Sequence, residues 1–354
     1  MPYISSPEFR HDGSERIGLL LVNSGTPASL ATADVRRFLT GLLSDPRVVE
    51  LPRVLWLPIL YGLILPTRPY LSARRYRQIW TPKGSPMTTL SNELATALTG
   101  VLAERMLGSF SVELAMLYSP PTVASALARL RTAGAQRILV IPLFPQYSGA
   151  STGAVFDQVT SELSRWRWLP ELRFIGQYAD DPGYIEALSA SVMQHWQTHG
   201  RTQRLLVSFH GIPERYFHRG DPYFYNCQKS ARLLAQKLAL DDEEWSVCFH
   251  SRFGAARWLG PYTADVVAEL PRRGVDEVTV ICPGFAIDCL ETLEEIAIEN
   301  RERFLAAGGR RFLYVPALNA RPEHTRALAD LIALHCQGWT PGEHQTAAAR
   351  GVSA

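Results

Sequence analysis

The feature that most constrains this chain is an internal repeat, in which one order of strands, turns and helices occurs twice. The first strand of one half ends in Val-Asn-Ser-Gly-Thr-Pro at 22–27, and the first strand of the other ends in Ser-Phe-His-Gly-Ile-Pro at 208–213. A later pair also corresponds, with Ile-Pro-Leu-Phe-Pro at 141–145 and Cys-Pro-Gly-Phe at 282–285. The 354 residues are therefore expected to form two similar halves of about 150 residues each.

The spacing of the repeat locates an insertion in the first half. Pro142 and Pro283 lie 141 residues apart, whereas Gly25 and Gly211 lie 186 apart, so about 45 extra residues follow the first strand. The expected organisation is an N-terminal tail (1–15), a first half (16–178) with a lip insertion (about 26–90), a second half (179–337) and a C-terminal tail (338–354).

Apolar runs of strand length alternate with amphipathic helical stretches along most of the chain. Strands are predicted near 17–23, 112–117, 137–141, 173–176, 204–209, 245–249, 277–282 and 312–315. The principal helices are predicted near 123–133, 153–166, 184–199, 226–240 and 290–307. Continuous apolar strands with crossover helices indicate parallel sheets covered on both faces. The predicted fold class is α/β, with two similar doubly wound Rossmann-like halves and a ligand cleft at the carboxyl ends of their strands.

Motifs and composition exclude several common functions. No G-x-G-x-x-G or G-x-x-x-x-G-K-[ST] pattern is present, which disfavours a nucleotide or dinucleotide enzyme. A net charge of +2 argues against a nucleic-acid partner. The five cysteines include no C-x-x-C pair and indicate reduced thiols of a cytosolic protein rather than disulfides.

The ends of two second-half strands hold histidine and carboxylate side chains. His210 lies where the strand near 204–209 gives way to a glycine. A structural hydrogen-bonding role and a catalytic role both stay open for it, because a neutral imidazole accepts a proton near pH 7. Asp288 and Glu291 have the spacing of a helix-capping pair, which would by itself explain both residues.

Capping does not explain Glu295 and Glu299. With Glu291 they lie at i, i+4 and i+8, in one line along one helical face. We call Glu291, Glu295 and Glu299 the carboxylate row. A solvated surface would tolerate such a row, but a row leading into a cleft suits a path for a cation or for protons.

Six segments carry a family resemblance. They are 20–27, 144–148 (Phe-Pro-Gln-Tyr-Ser), 208–216, 251–254 (Ser-Arg-Phe-Gly), 258–263 (Trp-Leu-Gly-Pro-Tyr-Thr) and 288–295 (Asp-Cys-Leu-Glu-Thr-Leu-Glu-Glu). In this order, over about 17–335, they resemble the ferrochelatases, the terminal enzymes of haem synthesis. The resemblance implies a porphyrin between two Rossmann-like halves, and it implies that His210 and Glu291 are the catalytic pair.

Further site residues are expected on the same basis. Metal contacts are predicted at His210 and the carboxylate row, and substrate contacts at Ser24, Tyr118, Tyr147, Ser148, His250 and Trp258. The porphyrin propionates need cationic or hydroxyl partners. Candidates besides Tyr147 and Ser148 are the basic residues of the insertion, Arg74, Arg75, Arg77 and Lys83. No tightly bound cofactor is expected, with Fe²⁺ as substrate.

This chain departs from the family pattern at several positions. His250 stands where the family usually has Gln, and it is either a second pocket imidazole or a neutral hydrogen-bonding replacement. Ser24 stands where many members have an aliphatic residue, Met or Tyr, and many carry Arg near Leu117. Some relatives bind a [2Fe–2S] cluster through cysteines near the C-terminus. Only Cys336 lies beyond residue 300, so no cluster is predicted.

The most apolar stretch, 54–66, is about 13 residues long and is interrupted by Pro58. A membrane span needs about 20, so composition favours a core helix over an interfacial lip. The family resemblance instead implies a lip of the cleft that rests on a membrane. The first sixteen residues contain no apolar run typical of a signal peptide. We therefore expect a cytoplasmic protein with peripheral contact at the inner face of the cell membrane.

The expected reaction inserts Fe²⁺ into protoporphyrin IX and releases two protons. Metallation of coproporphyrin or of a sirohydrochlorin-type ring is the alternative within the same chemistry. A non-catalytic porphyrin or haem carrier is the alternative from another class, and the presence of both His210 and Glu291 argues against it.

Overall fold

The computed structural model describes residues 3–4, 16–105, 109–254 and 256–339. Within these residues the strands form two four-stranded parallel sheets, ordered β2-β1-β3-β4 and β6-β5-β7-β8. The strands are β1 Arg16–Asn23, β2 Ser109–Met116, β3 Ala135–Pro142, β4 Glu171–Phe174, β5 Arg204–His210, β6 Trp245–His250, β7 Glu277–Ile281 and β8 Arg311–Val315. Corresponding strands occupy the same places in both sheets, so the predicted fold class is confirmed.

The apolar run of β1 explains why this strand is central. Leu19 and Leu21 pack on one face into a core shared by both halves, while Leu20 and Val22 pack on the other face against helices of the first half. All four side chains are fully buried. A strand covered on both faces has no need of polar alternation, and for this reason its sequence is continuously apolar.

The helices of the first half are α1 Thr32–Ser44, α2 Arg53–Ile59, α3 Leu65–Ile79, α4 Pro86–Arg105, α5 Val123–Thr132 and α6 Ala154–Leu163. Those of the second half are α7 Pro182–His199, α8 Glu214–His218, α9 Tyr223–Lys237, α10 Thr263–Glu269, α11 Arg301–Ala306 and α12 Pro322–His335. The described residues also include three π-helical segments, Leu60–Ile64, Gly149–Gly153 and Glu291–Asn300, and a 3-10 turn, Pro271–Arg273.

Local sequence explains where α7 begins. The side chain of Asp181 accepts a hydrogen bond from the Tyr184 amide at 2.9 Å, and Pro182 occupies the first helical position. An acidic N-cap followed by proline satisfies one free amide and removes another. The predicted helix near 184–199 therefore starts two residues earlier than its apolar pattern alone indicated.

The insertion forms a small core of its own, and α2, the π-turn Leu60–Ile64 and α3 join into one continuous helix, Arg53–Ile79, which we call the lip helix. Trp56, Leu60 and Leu65 lie on its buried stripe. Several other apolar side chains of the same helix are exposed, among them Val54 at 74% and Leu63 at 65% accessible. The prediction of a core helix here was wrong, because only one stripe of the helix finds a partner.

By length and composition alone, the lip helix is long and apolar enough to cross a membrane. Its most apolar window has a mean hydropathy of 1.2, and 22% of that window is buried. Of the residues the structure describes, this is the one helix that meets those criteria.

The C-terminal helix α12 ties the two halves together by packing against α4 of the first half and α7. The predicted tails lie largely outside the described residues. Ile4, inside the first predicted tail, forms a β-bridge with Trp166. Trp339, inside the second, is buried beneath the Arg173 guanidinium, which lies 4.2 Å from its ring centroid.

Candidate active site

The site is organised by the carboxyl ends of β5 and β6, where His210 and His250 are neighbours across the sheet. Their ring centroids lie 5.9 Å apart. Gly211 follows His210, and its amide donates to the His250 carbonyl at 2.7 Å. A Cβ at Gly211 would lie 3.1 Å from that carbonyl oxygen and 3.2 Å from the Trp258 ring, so the close approach of the two strand ends requires glycine.

One hydrogen bond fixes the tautomer of His210. Its Nδ1 lies 2.6 Å from the Gly211 carbonyl oxygen. A carbonyl oxygen only accepts hydrogen bonds, so Nδ1 carries the hydrogen and the neutral ring keeps its lone pair on Nε2. The rings of Trp258 and Phe285 lie 6.4 and 6.3 Å from the imidazole and form an aromatic wall. His210 is thus a half-buried base with one free nitrogen.

His250 has a different environment. Its side chain is buried (3% accessible), its Nδ1 lies 2.7 Å from the Ser208 hydroxyl, and its ring stacks on Phe285 at 5.7 Å. Burial, followed by the nearby His210, lowers the pKa of His250 well below its ordinary value, so the ring is neutral. This geometry fits the hydrogen-bonding alternative; contact between His250 and a porphyrin stays a prediction.

The carboxylate row lies on a π-helix, Glu291–Asn300, rather than on the predicted α-helix. Such segments are rare and occur frequently at functional sites. The capping interpretation of Asp288 was wrong, because this helix has no side-chain cap. Asp288 instead accepts hydrogen bonds from Thr292 at 2.8 Å, Tyr314 at 2.5 Å and Asn319 at 2.8 Å. These bonds attach the start of the π-helix to the turn after β8.

The three carboxylates of the row have different surroundings. Glu291 is half-buried beside the Cys289 thiol, whose pKa is raised by burial and then by the Glu291 carboxylate. Glu295 accepts hydrogen bonds from the amide and hydroxyl of Ser251, with the amide at 2.7 Å. Glu299 lies at the outer end, bonded to Arg303 at 2.9 Å and Arg75 at 3.2 Å.

The inner carboxylates form one electrostatic group with the imidazole. Burial raises the pKa of Glu295; the bonds from Ser251 and the nearby His210 oppose that rise, and Glu291 adds to it. His210, Glu291 and Glu295 therefore lie close enough to influence one another's charge. Glu299, neutralised by two arginines, does not belong to this group.

Two site residues were not anticipated from the sequence. Glu294 is buried (5% accessible) and faces Arg75 at 3.6 Å; burial raises its pKa and Arg75 opposes that rise. Tyr76, from the lip helix, is buried, and its pKa is raised by burial and then by Glu291. The contact partners lie more than 200 residues apart in sequence, so no local pattern indicated them.

Among the predicted substrate contacts, two hydroxyls are occupied by structural bonds. The Tyr118 hydroxyl donates to Asp45 at 2.9 Å, and the Ser148 hydroxyl donates to Asp221 at 2.9 Å. Ser148 is also buried, and its bond to Asp221 joins the first half to the second.

The other predicted contacts are half-buried. The Ser24 hydroxyl has only a long contact to the Met87 sulfur, at 3.8 Å, and Tyr147 and Trp258 are partly accessible. Leu117 is buried. Ser24, Tyr147 and Trp258 therefore remain the predicted contacts whose side chains are free to meet a ligand.

The basic residues of the insertion point in different directions. Arg74 and Arg77 line a shallow depression of about 330 Å³, while Lys83 lines a separate one of about 550 Å³. Neither depression includes His210 or Glu291. Arg75 instead reaches Glu294 and Glu299. The Arg68 guanidinium lies 4.0 Å from the centroid of Phe253, so it links the lip helix to the loop after β6.

No cluster of three or more His, Cys, Asp or Glu side chains among the described residues is arranged to hold a metal ion. All five cysteines are buried and unpaired with one another. A base and two carboxylates beside an aromatic wall can move protons and can offer one nitrogen and carboxylate oxygens to a metal that arrives with its acceptor.

Known proteins share the sequence pattern and the fold of this chain. The profile of the Ferrochelatase family matches residues 16–336. The chain is 50% identical to a ferrochelatase from Nitrosococcus oceani, over 95% of this chain and 91% of that one. It is 51% identical to a ferrochelatase from Methylibium petroleiphilum, over 96% and 93%. Among solved structures, SirB from Bacillus subtilis with Fe³⁺ matches at a TM-score of 0.55 and 13% identity, covering 92% of this chain and 97% of that one, which shows a shared fold.

Proposed function

We propose that this chain, which belongs to the ferrochelatase family and inserts ferrous iron into a porphyrin for haem synthesis, carries out that insertion between His210 and Glu291. The substrate we propose is protoporphyrin IX, and the enzyme is a lyase of the metal chelatase type. The observation that carries the proposal is the free Nε2 of His210, held in one tautomer beside the Glu291–Glu295 group.

The two halves have different roles, because the proposed catalytic side chains all belong to one of them. His210 and Glu291 both belong to the second half, 179–337, so that half performs the chemistry. The first half, 16–178, supplies the opposing wall, with Tyr76 of its insertion next to Glu291. A buried core joins the two halves, and we propose that walls held together in this way keep the macrocycle bent, so that its nitrogen lone pairs are exposed.

Each pyrrole N–H must lose its proton before the metal binds. His210 Nε2 accepts that proton, and the N–H electron pair stays on the porphyrin nitrogen, which then bonds to iron. Glu291 and Glu295 pass the proton outward, since burial has already raised the pKa of Glu295. At the outer end, Glu299 pairs with Arg75 and Arg303, whose positive charge acts on iron and on protons alike. We therefore assign the proton path to the inner carboxylates Glu291 and Glu295.

Iron meets suitable donors in the same place. Imidazole nitrogen and carboxylate oxygen are ligands for Fe²⁺ and also for Zn²⁺. His210 Nε2 and the Glu291 carboxylate are therefore the protein donors nearest the macrocycle, and Nε2 can contact the metal only after its proton has passed to Glu291. Zn²⁺ is for that reason a practical substitute in an assay.

The variant Glu291→Gln tests this assignment. It keeps the size of the side chain and removes its charge, so zinc insertion should slow by about 100-fold or more, while the porphyrin dissociation constant stays within about threefold of wild type. Glu302→Gln, on the exposed surface of α11, is the matched control and should behave like wild type. Near-normal turnover in Glu291→Gln would remove Glu291 from the mechanism.

We also propose that the lip helix rests on the inner face of the cell membrane, which would make the protein peripheral on its cytoplasmic side. Val54, Leu55 and Leu63 of this helix expose apolar side chains, and exposed apolar patches rimmed by charge are typical of membrane contacts. Arg74 and Arg77 supply the charge at the end of the helix. A membrane position suits a substrate as apolar as a porphyrin.

Vesicle sedimentation tests the membrane proposal. The double variant Val54→Ser with Leu63→Ser should lose most of its binding to vesicles of phosphatidylglycerol and phosphatidylethanolamine. Leu334→Ser removes a similarly exposed leucine on α12 and should bind like wild type. Equal binding of all three proteins would contradict the assignment.

A further inference from the structure

Ser251 has an unusual backbone conformation directly beside the site. It follows the last residue of β6, and its φ of +64° lies in the left-handed region. For a residue other than glycine this conformation costs about 1 kcal/mol. Strain of this kind persists only where neighbouring contacts compensate for it, and it clusters at functional sites.

The compensating contacts of Ser251 are both to one carboxylate. Its amide donates to Glu295 Oε1 at 2.7 Å, and its hydroxyl donates to Glu295 Oε2. A left-handed residue turns its amide away from the strand direction, which is how backbone turns bind anions. With one donor on each oxygen, the carboxylate cannot rotate freely.

The orientation of Glu295 matters because of its neighbours. His210 and Glu291 both act on its charge, and it stands between Glu291 and the arginine-paired Glu299 on the π-helix. The two bonds from Ser251 thus hold the Glu295 carboxylate in one orientation between its neighbours in the row.

We propose that Ser251 is a positioning residue for metal insertion: its left-handed turn fixes the Glu295 carboxylate next to His210 and Glu291, so that protons leave the pair rapidly. The inference rests on the proposed function and deepens it. Ser251 does not touch the reacting atoms, and its effect on turnover passes entirely through Glu295. The two hydrogen bonds to Glu295 compensate for the strain of the left-handed turn.

Two substitutions separate the contribution of the Ser251 hydroxyl from that of its strained backbone. Ser251→Ala removes the hydroxyl and keeps the strain, whereas Ser251→Gly removes the hydroxyl and relieves the strain. Both should lower kcat for zinc insertion by about tenfold, since each loses a hydrogen bond to a charged group. KM for the porphyrin should not change. Ser251→Gly should nevertheless melt higher than Ser251→Ala, because both lose the hydroxyl and only glycine adopts positive φ without cost.

A double-mutant cycle with Glu295→Gln supplies the decisive readout. In that background Ser251→Gly should change kcat by less than about twofold, because the carboxylate on which Ser251 acts is gone. A tenfold loss that persists there, or a rise in porphyrin KM, would show that Ser251 only shapes the loop and would overturn the inference. Failure of the proposed function looks different, since the wild-type protein would then insert no metal.

Discussion

His324 on α12 should make the stability of the folded protein sensitive to acid, and it is hydrogen-bonded to the turn that holds the start of the π-helix. It is fully buried, and its Nδ1 donates to the Asn319 carbonyl at 2.7 Å. The Asn319 side chain in turn holds Asp288 at the start of the π-helix. Burial lowers the pKa of His324 to about 4. Protonation of this ring must therefore oppose the folded state.

The sign and size of the effect follow from proton linkage. An unfolded histidine has a pKa of about 6.5, so the unfolded chain binds the proton more readily than the folded one. The stabilisation that the neutral His324 ring contributes is fully present above a pH of about 6.5. It is lost as the pH falls toward 4, the pKa of His324 in the folded protein. The full loss is about 3 kcal/mol, of which about 2 kcal/mol falls between pH 7 and pH 5.

Urea unfolding at pH 7, 6 and 5 measures this loss. The wild-type free energy of unfolding should fall by about 2 kcal/mol more than that of His324→Gln over this range. His218→Gln replaces an exposed histidine of α8 and is the matched control, which should lose stability over this range as the wild type does. If wild type and His324→Gln lost stability in parallel, to within about 0.5 kcal/mol, the buried-histidine argument would be refuted.

Three further outcomes follow from contacts at the site. His250→Gln should keep the wild-type preference between Zn²⁺ and Fe²⁺ and a turnover within about threefold of wild type, because glutamine also bonds to Ser208; a changed metal preference in competition assays would contradict this. Gly211→Ala should destabilise the protein by about 1–3 kcal/mol in urea unfolding and lower kcat, because the new Cβ meets the His250 carbonyl and Trp258; wild-type values would contradict the close approach. Arg75→Met should lower stability at pH 7 by about 1 kcal/mol and by less at pH 5, where the unpaired, buried Glu294 takes up a proton; a loss independent of pH would argue against the pairing.

The repeat made the two sheets predictable. The motifs at 22–27 and 208–213 mark the ends of corresponding strands in the two halves. The continuous apolar runs before them indicated parallel strands buried on both faces. His210 followed from its place at one of those ends. The position of Glu291 followed from the family resemblance and from the carboxylate row, because its local pattern was also that of a helix cap.

What the sequence did not reveal depends on contacts between distant segments. Arg75 pairs with Glu294 and Glu299 across more than 200 residues. Spacing of i, i+4 and i+8 also does not distinguish an α-helix from a π-helix, so the hydrogen-bond pattern of Glu291–Asn300 could not be anticipated. Composition alone favoured a core helix at 54–66, and only the family resemblance indicated an exposed lip, because composition records how apolar a segment is and not whether anything covers it.

The central claim is that His210 and Glu291 insert a divalent metal into protoporphyrin IX. The most direct test follows zinc-porphyrin fluorescence with purified protein and either protoporphyrin or coproporphyrin, in wild type and in His210→Ala. We expect catalysed insertion with protoporphyrin as the better substrate, and in His210→Ala a rate lower by about 100-fold or more without loss of porphyrin binding. Faster turnover of coproporphyrin would contradict the substrate assignment, and tight porphyrin binding with no insertion by the wild-type protein would contradict the claim altogether.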